Sequence, residues 1–383
     1  MKMIITADIK PSPQNALLIA ELGTSHNGDM VKAREMIDAA AEAGADCCKF
    51  QMVFADEILH PNTGEVTLPG GKIRLYDRFK ELESPPEFYQ GIKEYTESRG
   101  LLFLCTPFGL KSAGLLKELK PKIVKIASPE LNYSSLLSEI SKWGLPVLLS
   151  SGVSSLADIE KALMILRNEK ENSNKSGNGK ESIENSSICL LHCVTSYPAP
   201  ATDYNLRVLK SLALVFGIEP GVSDHSLDPE LVPVIALSQG AIVIEKHFCL
   251  SRSDPGLDDP IALPPLEFSR MVNAVRWAEK AGPQESLEVL IRDRGNKIIE
   301  EILGSGIKSL AASEKDNYRR TNRSLHALRD IEKGKIILPE DIGVLRTEKI
   351  LRPGLEPCWE TRIAGRKARN FIPNGEGIRF EDI

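Results

Sequence analysis

Two lysines in this 383-residue chain sit where a lysine is hard to keep. Lys49 lies in DCCKFQM (46–52) and Lys125 in KIVKIAS (122–128), both otherwise largely apolar runs. Burying an ammonium is costly unless a carboxylate or a bound anion meets it. Ser128, Ser150 and Ser223, with Gly152 alongside, supply hydroxyl and backbone donors for such an anion. The set describes a phosphate or carboxylate site. No G-x-x-x-x-G-K string is present, so a nucleoside-triphosphate loop is not implied. His225 and His247 close two further runs, GVSDH and IEKHF. Together they could hold a divalent ion with open positions, and few protein ligands with many waters suit Mn²⁺ or Mg²⁺ better than a structural zinc. Glu21 ends LLIAELG (17–23) and is a candidate general acid or base, or a stabiliser of developing positive charge. Its plainer reading is an ion-pair partner of Lys49. His192 lies deeper in its run and reads as a packed group.

The elements that must position these residues follow from the hydropathy pattern. Apolar runs at 17–23, 46–52, 101–107, 122–128, 146–152, 188–194, 218–224 and 241–248 alternate with amphipathic stretches such as 31–43, 86–99, 110–119 and 155–169. Near-continuous apolar strands separated by helices predict a parallel sheet covered on both faces. Eight such units over about 250 residues predict an α/β fold, a closed (β/α)8 barrel. The runs end in polar residues: Glu21, Lys49 with Gln51, Thr106, Lys125 with Ser128 and then Glu130, Ser150 with Ser151, His192 with Thr195 and Tyr197, Ser223 with Asp224 and His225, and Glu245 with Lys246 and His247. In a parallel barrel these ends share one face, where barrel enzymes do their chemistry.

The barrel is assigned to residues 1–282. Residues 53–86 form a long loop rich in Pro and Gly with a short helix-like stretch near 73–82. Residues 168–187, almost wholly polar, read as a disordered insertion. A linker with helical character at 285–303 covers 283–320, and 321–383 reads as a small β-rich module punctuated by glycines. The last 65 residues carry 14 basic and 10 acidic side chains, the remainder 34 and 43. The overall charge of −5 argues against a nucleic-acid binder. Seven cysteines without a C-x-x-C fit a reducing cytoplasm. No apolar run reaches membrane-spanning length, and Met1–Lys10 lacks the features of a secretory signal.

The strings IAELGTSHNG, GADCCKFQ, LCTPF, KIAS-x-E, LLSSG, HCVTSYPAP, GVSDH and IEKHF, in this order, resemble those of the sialic acid synthases (the N-acetylneuraminate synthase family). NRSLHALRDIEKGKIILPEDI resembles that family's C-terminal antifreeze-like (SAF, β-clip) domain. The resemblance implies condensation of phosphoenolpyruvate with an N-acylated mannosamine-type aldehyde sugar, an N-acyl hexosamine, to give a nine-carbon 2-keto acid and phosphate. It implies that carbon 3 of phosphoenolpyruvate attacks a metal-held aldehyde, water adds at carbon 2, and phosphate leaves by C–O cleavage.

Carried over by position, Lys125, Ser128, Ser150 and Ser223 would bind phosphoenolpyruvate, with Thr106 in the same pocket. Lys49 and Gln51 would contact its carboxylate and reacting centre, and Glu21 would handle the cationic intermediate or the aldehyde. His225 and His247 would ligate the metal, while Tyr197 and Asp258 would face the sugar. Arg323 would reach the sugar N-acyl group from a domain-swapped homodimer, capping the partner's barrel. The loop GLDDPIALPP keeps Asp258 but has Asp259 and Pro260 where the family often has His and Lys, so the resemblance does not specify the sugar. Two rival readings remain: a metal-independent Schiff-base aldolase with Lys125 or Lys246 as nucleophile, and a non-catalytic carbohydrate-binding protein.

Overall fold

The computed structural model describes residues 15–68, 71–174, 188–348 and 350–383. Eight parallel strands form the main sheet: β1 (Leu17–Gly23), β2 (Cys47–Met52), β5 (Leu102–Pro107), β6 (Val124–Ile126), β7 (Val147–Ser150), β8 (Ile188–Cys193), β9 (Glu219–Asp224) and β10 (Val243–His247). Between β2 and β5 lies a small antiparallel hairpin, β3 (Glu65–Leu68) with β4 (Gly71–Arg74). The strand order is β5-β2-β1-β10-β9-β8-β7-β6, and the end strands β5 and β6 pack together to complete the barrel.

The period-two alternation of each strand builds the interior. Leu17, Ile19, Cys47, Leu104, Ile123, Leu148, Cys189, Leu191 and Val243 form one buried cluster. Continuing in steps of two toward the C-terminal ends, the same face carries Glu21, Lys49, Gln51, Thr106, Lys125, Ser150, Ser223, Glu245 and His247. The barrel is thus apolar at its floor and polar at its mouth. Gly221 serves this packing, because a Cβ there would lie 2.4 Å from Leu191 Cδ2 and 2.8 Å from the Val243 carbonyl oxygen. The opposite strand faces join the larger cluster shared with the surrounding helices, including Met36, Ile37 and Ile92.

Two expectations change. The loop 53–86 contains the hairpin, which the sequence reading did not include, beside the helix it expected near 73–82, which runs over Leu75–Glu81. The supposed insertion starts as helix, since Leu156–Asn174 is continuous. Its apolar stripe ends before residue 168, but the Glu and Lys residues that follow have good intrinsic helix propensity. The rest of the insertion, 175–187, and the segment Met1–Lys10 fall outside the described residues.

After β10 come the helices Pro265–Ala281, Pro283–Arg294 and Asn296–Leu303, then a segment running over the barrel mouth. The C-terminal module is built on the antiparallel pair β11 (Arg323–Ala327) and β12 (Ile342–Arg346), in which Arg323 and Arg346 are partners. It sits on its own chain's barrel: Asn132 exchanges two hydrogen bonds with the Arg323 backbone, and Leu59 bridges to Arg346. No helix among the described residues is long and apolar enough to cross a membrane.

Candidate active site

Strand register sets the centre of the site. Glu21 is paired with Lys49 on one side and His247 on the other, and Glu245 faces Ser223. The Lys49 ammonium lies 3.2 Å from Glu21 Oε2 and 3.1 Å from Glu245 Oε1. Gln51 Nε2 donates to Glu21 Oε1 at 2.7 Å, and Ser223 Oγ donates to Glu245 Oε1 at 2.8 Å. Lys125 Nζ stands 3.8 Å from Glu245 and donates to Ser150 Oγ at 2.7 Å. Two buried ammoniums thus share two buried carboxylates.

Burial dominates the electrostatics. It raises the Glu21 carboxyl to about 7, with Lys49 opposing the shift and Glu245 adding to it. Burial also drives Lys125 down to about 8, against the pull of Glu245 and with the help of Lys49. Lys49 is different: burial opposes its charge, but Glu21 and Glu245 together hold it above the ordinary lysine range. Glu245 is held down near 2, since Lys125 and Lys49 outweigh its burial.

Around this centre the hydroxyls converge. The Gly152 N–H donates to Ser128 Oγ at 3.0 Å, and a Cβ at Gly152 would meet Thr195 Oγ1 at 2.2 Å. Thr106 Oγ1, Thr195 Oγ1 and Glu245 Oε2 are buried without a hydrogen-bond partner. Buried polar atoms are normally satisfied, so orphans clustered at one mouth mark a place for a polar ligand.

On the other side stand the imidazoles. The His225 and His247 rings have centroids 5.3 Å apart, and Tyr197 stacks on His225 at 4.3 Å. His225 Nδ1 bonds the Val194 carbonyl at 2.8 Å, so Nε2 is the nitrogen that could take a ligand, on loss of its proton. Burial lowers the His225 imidazole and raises the Cys193 thiol; their contact, Sγ 3.7 Å from Nδ1, reverses both, and His225 stands at about 9. Burial, then the His225 charge, hold His247 well below the usual range, so it is neutral. Asp258 lies 3.8 Å from His247 Nδ1, its carboxyl raised to about 6 by burial. Among the described residues no group of three or more His, Cys, Asp or Glu forms a metal cage. Two imidazoles at this spacing could each offer a nitrogen to one divalent ion.

Arg323 is placed differently from the expectation. Its guanidinium is fully buried and donates to Glu130 Oε1 and to the carbonyls of Glu57, Ile58, Phe108 and Val344. With its donors so engaged, and the module on its own barrel, it has none to offer a sugar N-acyl group. Glu130 Oε1 also accepts from Arg346 Nη2 at 2.6 Å. His192 Nε2 bonds the Tyr204 carbonyl and its imidazole is lowered to about 3, mainly by burial, as in a packed group. Lys246 faces away from the mouth into a 2.6 Å ion pair with Asp224.

Comparison with known proteins now bears on this site. Residues 36–286 match the NeuB family, and residues 322–383 match the SAF domain. The chain belongs to the NeuB family. It is an enzyme of that family, carrying a SAF domain at its C-terminal end. It is 32% identical to the pseudaminic acid synthase of Campylobacter jejuni over 376 residues, 97% of each chain. It is 31% identical to the N,N'-diacetyllegionaminic acid synthase of Legionella pneumophila over 381 residues, covering 98% of this chain and 97% of that one. The crystal structure of the spore coat polysaccharide biosynthesis protein spsE from Bacillus subtilis superposes with a TM-score of 0.78 at 32% identity, covering 96% of this chain and 95% of that one.

Sequence reasoning places Glu245 and Glu130 among the polar residues at the strand ends but gives neither a role. That of Glu245 was within reach, since it lies two residues before His247 on the same strand face. That of Glu130 was not, because what gives it a role is an arginine 193 residues away.

Proposed function

We propose that this enzyme condenses phosphoenolpyruvate with an N-acylated mannosamine-type aldehyde sugar, yielding a nine-carbon 2-keto acid (a sialic, legionaminic or related nonulosonic acid) and inorganic phosphate. The observation that carries the reading is the pair of buried ammoniums, Lys49 and Lys125, set among serine hydroxyls at one barrel mouth. Lys125, Ser128, Ser150 and Ser223, with Thr106, would hold the phosphoenolpyruvate phosphate. Lys49 and Gln51 would hold its carboxylate. The new C–C bond joins carbon 3 to the aldehyde carbon, water adds at carbon 2, and the C–O bond to phosphate breaks. Glu21, with its carboxyl near 7, can move the proton of that water and stabilise positive charge at carbon 2. Tyr197 and Asp258 lie beside the imidazoles and would face the sugar.

The proposal includes a divalent ion, Mn²⁺ or Mg²⁺, held by His225 and His247. When bound it would supply Lewis acidity to the carbonyl oxygen of the sugar. The homodimer implied by the family resemblance also belongs to the proposal, and sedimentation tests it, a monomer at all concentrations overturning it. A cytoplasmic location fits the seven cysteines, which form no disulfide.

One observation favours a second reading. Lys125 at about 8 is suited to Schiff-base formation, whereas Lys246 is committed to Asp224. A phosphate-release assay decides between them. Phosphoenolpyruvate is offered with N-acetylmannosamine, its 6-phosphate and diacetamido-trideoxy hexoses, and the bridging oxygen is labelled with ¹⁸O. The proposal expects release with one sugar and the label in phosphate. Borohydride trapping on Lys125, or no release with any sugar, overturns it.

A further inference from the structure

The segment between the last barrel helices and the C-terminal module places one carboxylate deep in the barrel mouth. Glu314 is 1% exposed. Its Oε2 accepts from the Val153 N–H at 3.1 Å and the Thr195 N–H at 2.9 Å, and its Oε1 from the Ala311 N–H at 3.2 Å. Val153 follows the tip of β7 and Thr195 the tip of β8. Neighbours in the same segment make parallel contacts: Asn317 Nδ2 donates to the Thr195 carbonyl at 2.8 Å, and Lys308 Nζ to the Ser151 carbonyl at 3.2 Å.

Val153 has a backbone reason to need this hold. Its φ is +45°, in the left-handed region that a β-branched residue rarely adopts. Such a conformation persists only where the surroundings over-determine it. Here Glu314 takes its N–H and Asn322 Nδ2 donates to its carbonyl at 3.3 Å. The residue before it is Gly152, whose N–H meets Ser128 Oγ in the cradle of hydroxyls. Relaxing Val153 would therefore turn the Gly152 N–H and move Thr195 Oγ1 relative to Ser128.

We propose that Glu314 is a positioning residue of the phosphate subsite: it pins the tips of β7 and β8 so that the Gly152 N–H holds Ser128 Oγ and the Ser128 and Thr195 hydroxyls face one anion. Anion affinity is thereby tied to the seating of the linker that carries the C-terminal module. Glu314 touches no substrate and acts through backbone it holds. The inference rests on the phosphoenolpyruvate reading above.

The test is calorimetric binding of inorganic phosphate and of phosphoenolpyruvate to wild type, Glu314→Ala, Glu314→Gln and Asn322→Ala, with steady-state kinetics alongside. Loss of the clamp should weaken both anions about tenfold or more in Glu314→Ala, the scale of one strained backbone position. KM for phosphoenolpyruvate should rise with it, while kcat and the sugar KM change less than about threefold. Glutamine keeps an acceptor oxygen for the two N–H groups and should recover most of the affinity. Asn322→Ala should shift binding in the same direction, which keeps the proposal testable should Glu314→Ala not fold. Folded variants that bind both anions as wild type does overturn the Glu314 assignment alone. Wild type binding neither anion overturns the phosphoenolpyruvate reading and the assignment with it.

Discussion

Glu21 and Lys49 are register partners on β1 and β2, and their side chains meet as a fully buried ion pair at 3.2 Å. The pair is unequal. Lys49 has two carboxylates and keeps its proton, whereas burial raises Glu21 to about 7 against the pull of a lysine that it shares with Glu245. A carboxyl at that value exchanges its proton near neutral pH. If the ionised form stabilises positive charge at carbon 2, activity falls as pH drops through about 7. Glu21→Gln should lower kcat by about a hundredfold or more and remove that acid limb. A pH–rate profile of both proteins checks this, and an unchanged limb in the glutamine variant would assign it to another group.

Glu245 governs the opposite limb. Lys125 stands at about 8 because burial outweighs the attraction of Glu245, with Lys49 pushing in the same direction as burial. Its ammonium is the form that binds an anion, so activity should decline as pH rises through about 8. Glu245→Gln removes the attraction and leaves two lysines repelling each other. The Lys125 value should fall further, moving the alkaline limb to lower pH and reducing kcat/KM at pH 8 more than at pH 6.5. An alkaline limb that stays in place would show that Lys125 does not set it.

Arg323 should matter for stability before it matters for sugar recognition. Its guanidinium and that of Arg346 converge on Glu130 Oε1, and Arg323 also ties down four carbonyls of barrel loops and β12. Removing one partner from a buried charge pair costs about 3–5 kcal/mol. Arg323→Ala should lose that order of unfolding free energy in urea, and Arg323→Lys should recover little, because an ammonium cannot reproduce a planar fork. A variant as stable as wild type but with a raised sugar KM would return Arg323 to the substrate.

The barrel and the inward side chains of its mouth were legible because both follow from one signal, period-two alternation within strands that end at a common face. Glu21, Lys49, Thr106, Lys125 and His247 come from that signal. The Arg323–Glu130 pair and the Glu314 clamp do not, because each joins residues more than 100 apart with no periodicity between them. Val153 is similar: nothing in its type announces a positive φ, which the contacts of Glu314 and Asn322 impose from outside. The seating of the C-terminal module on its own barrel was invisible for the same reason, since its basic surplus fits any acidic surface.

The imidazole pair offers a prediction independent of turnover. His225 Nδ1 is committed to the Val194 carbonyl, His247 is neutral, and Asp258 and Tyr197 flank them. With only two protein nitrogens, an ion held here would keep several water or substrate ligands, so its affinity should be modest and each histidine should account for much of it. Titrating Mn²⁺ into the dialysed protein, with free ion read by electron paramagnetic resonance, should show one site. His225→Ala and His247→Ala should each weaken it about tenfold or more, while Tyr197→Phe, which keeps the stacked ring, should leave it nearly unchanged. EDTA should abolish phosphate release and Mn²⁺ should restore it. Full turnover in EDTA, or Mn²⁺ binding unaffected by either alanine, would remove the ion from these two residues.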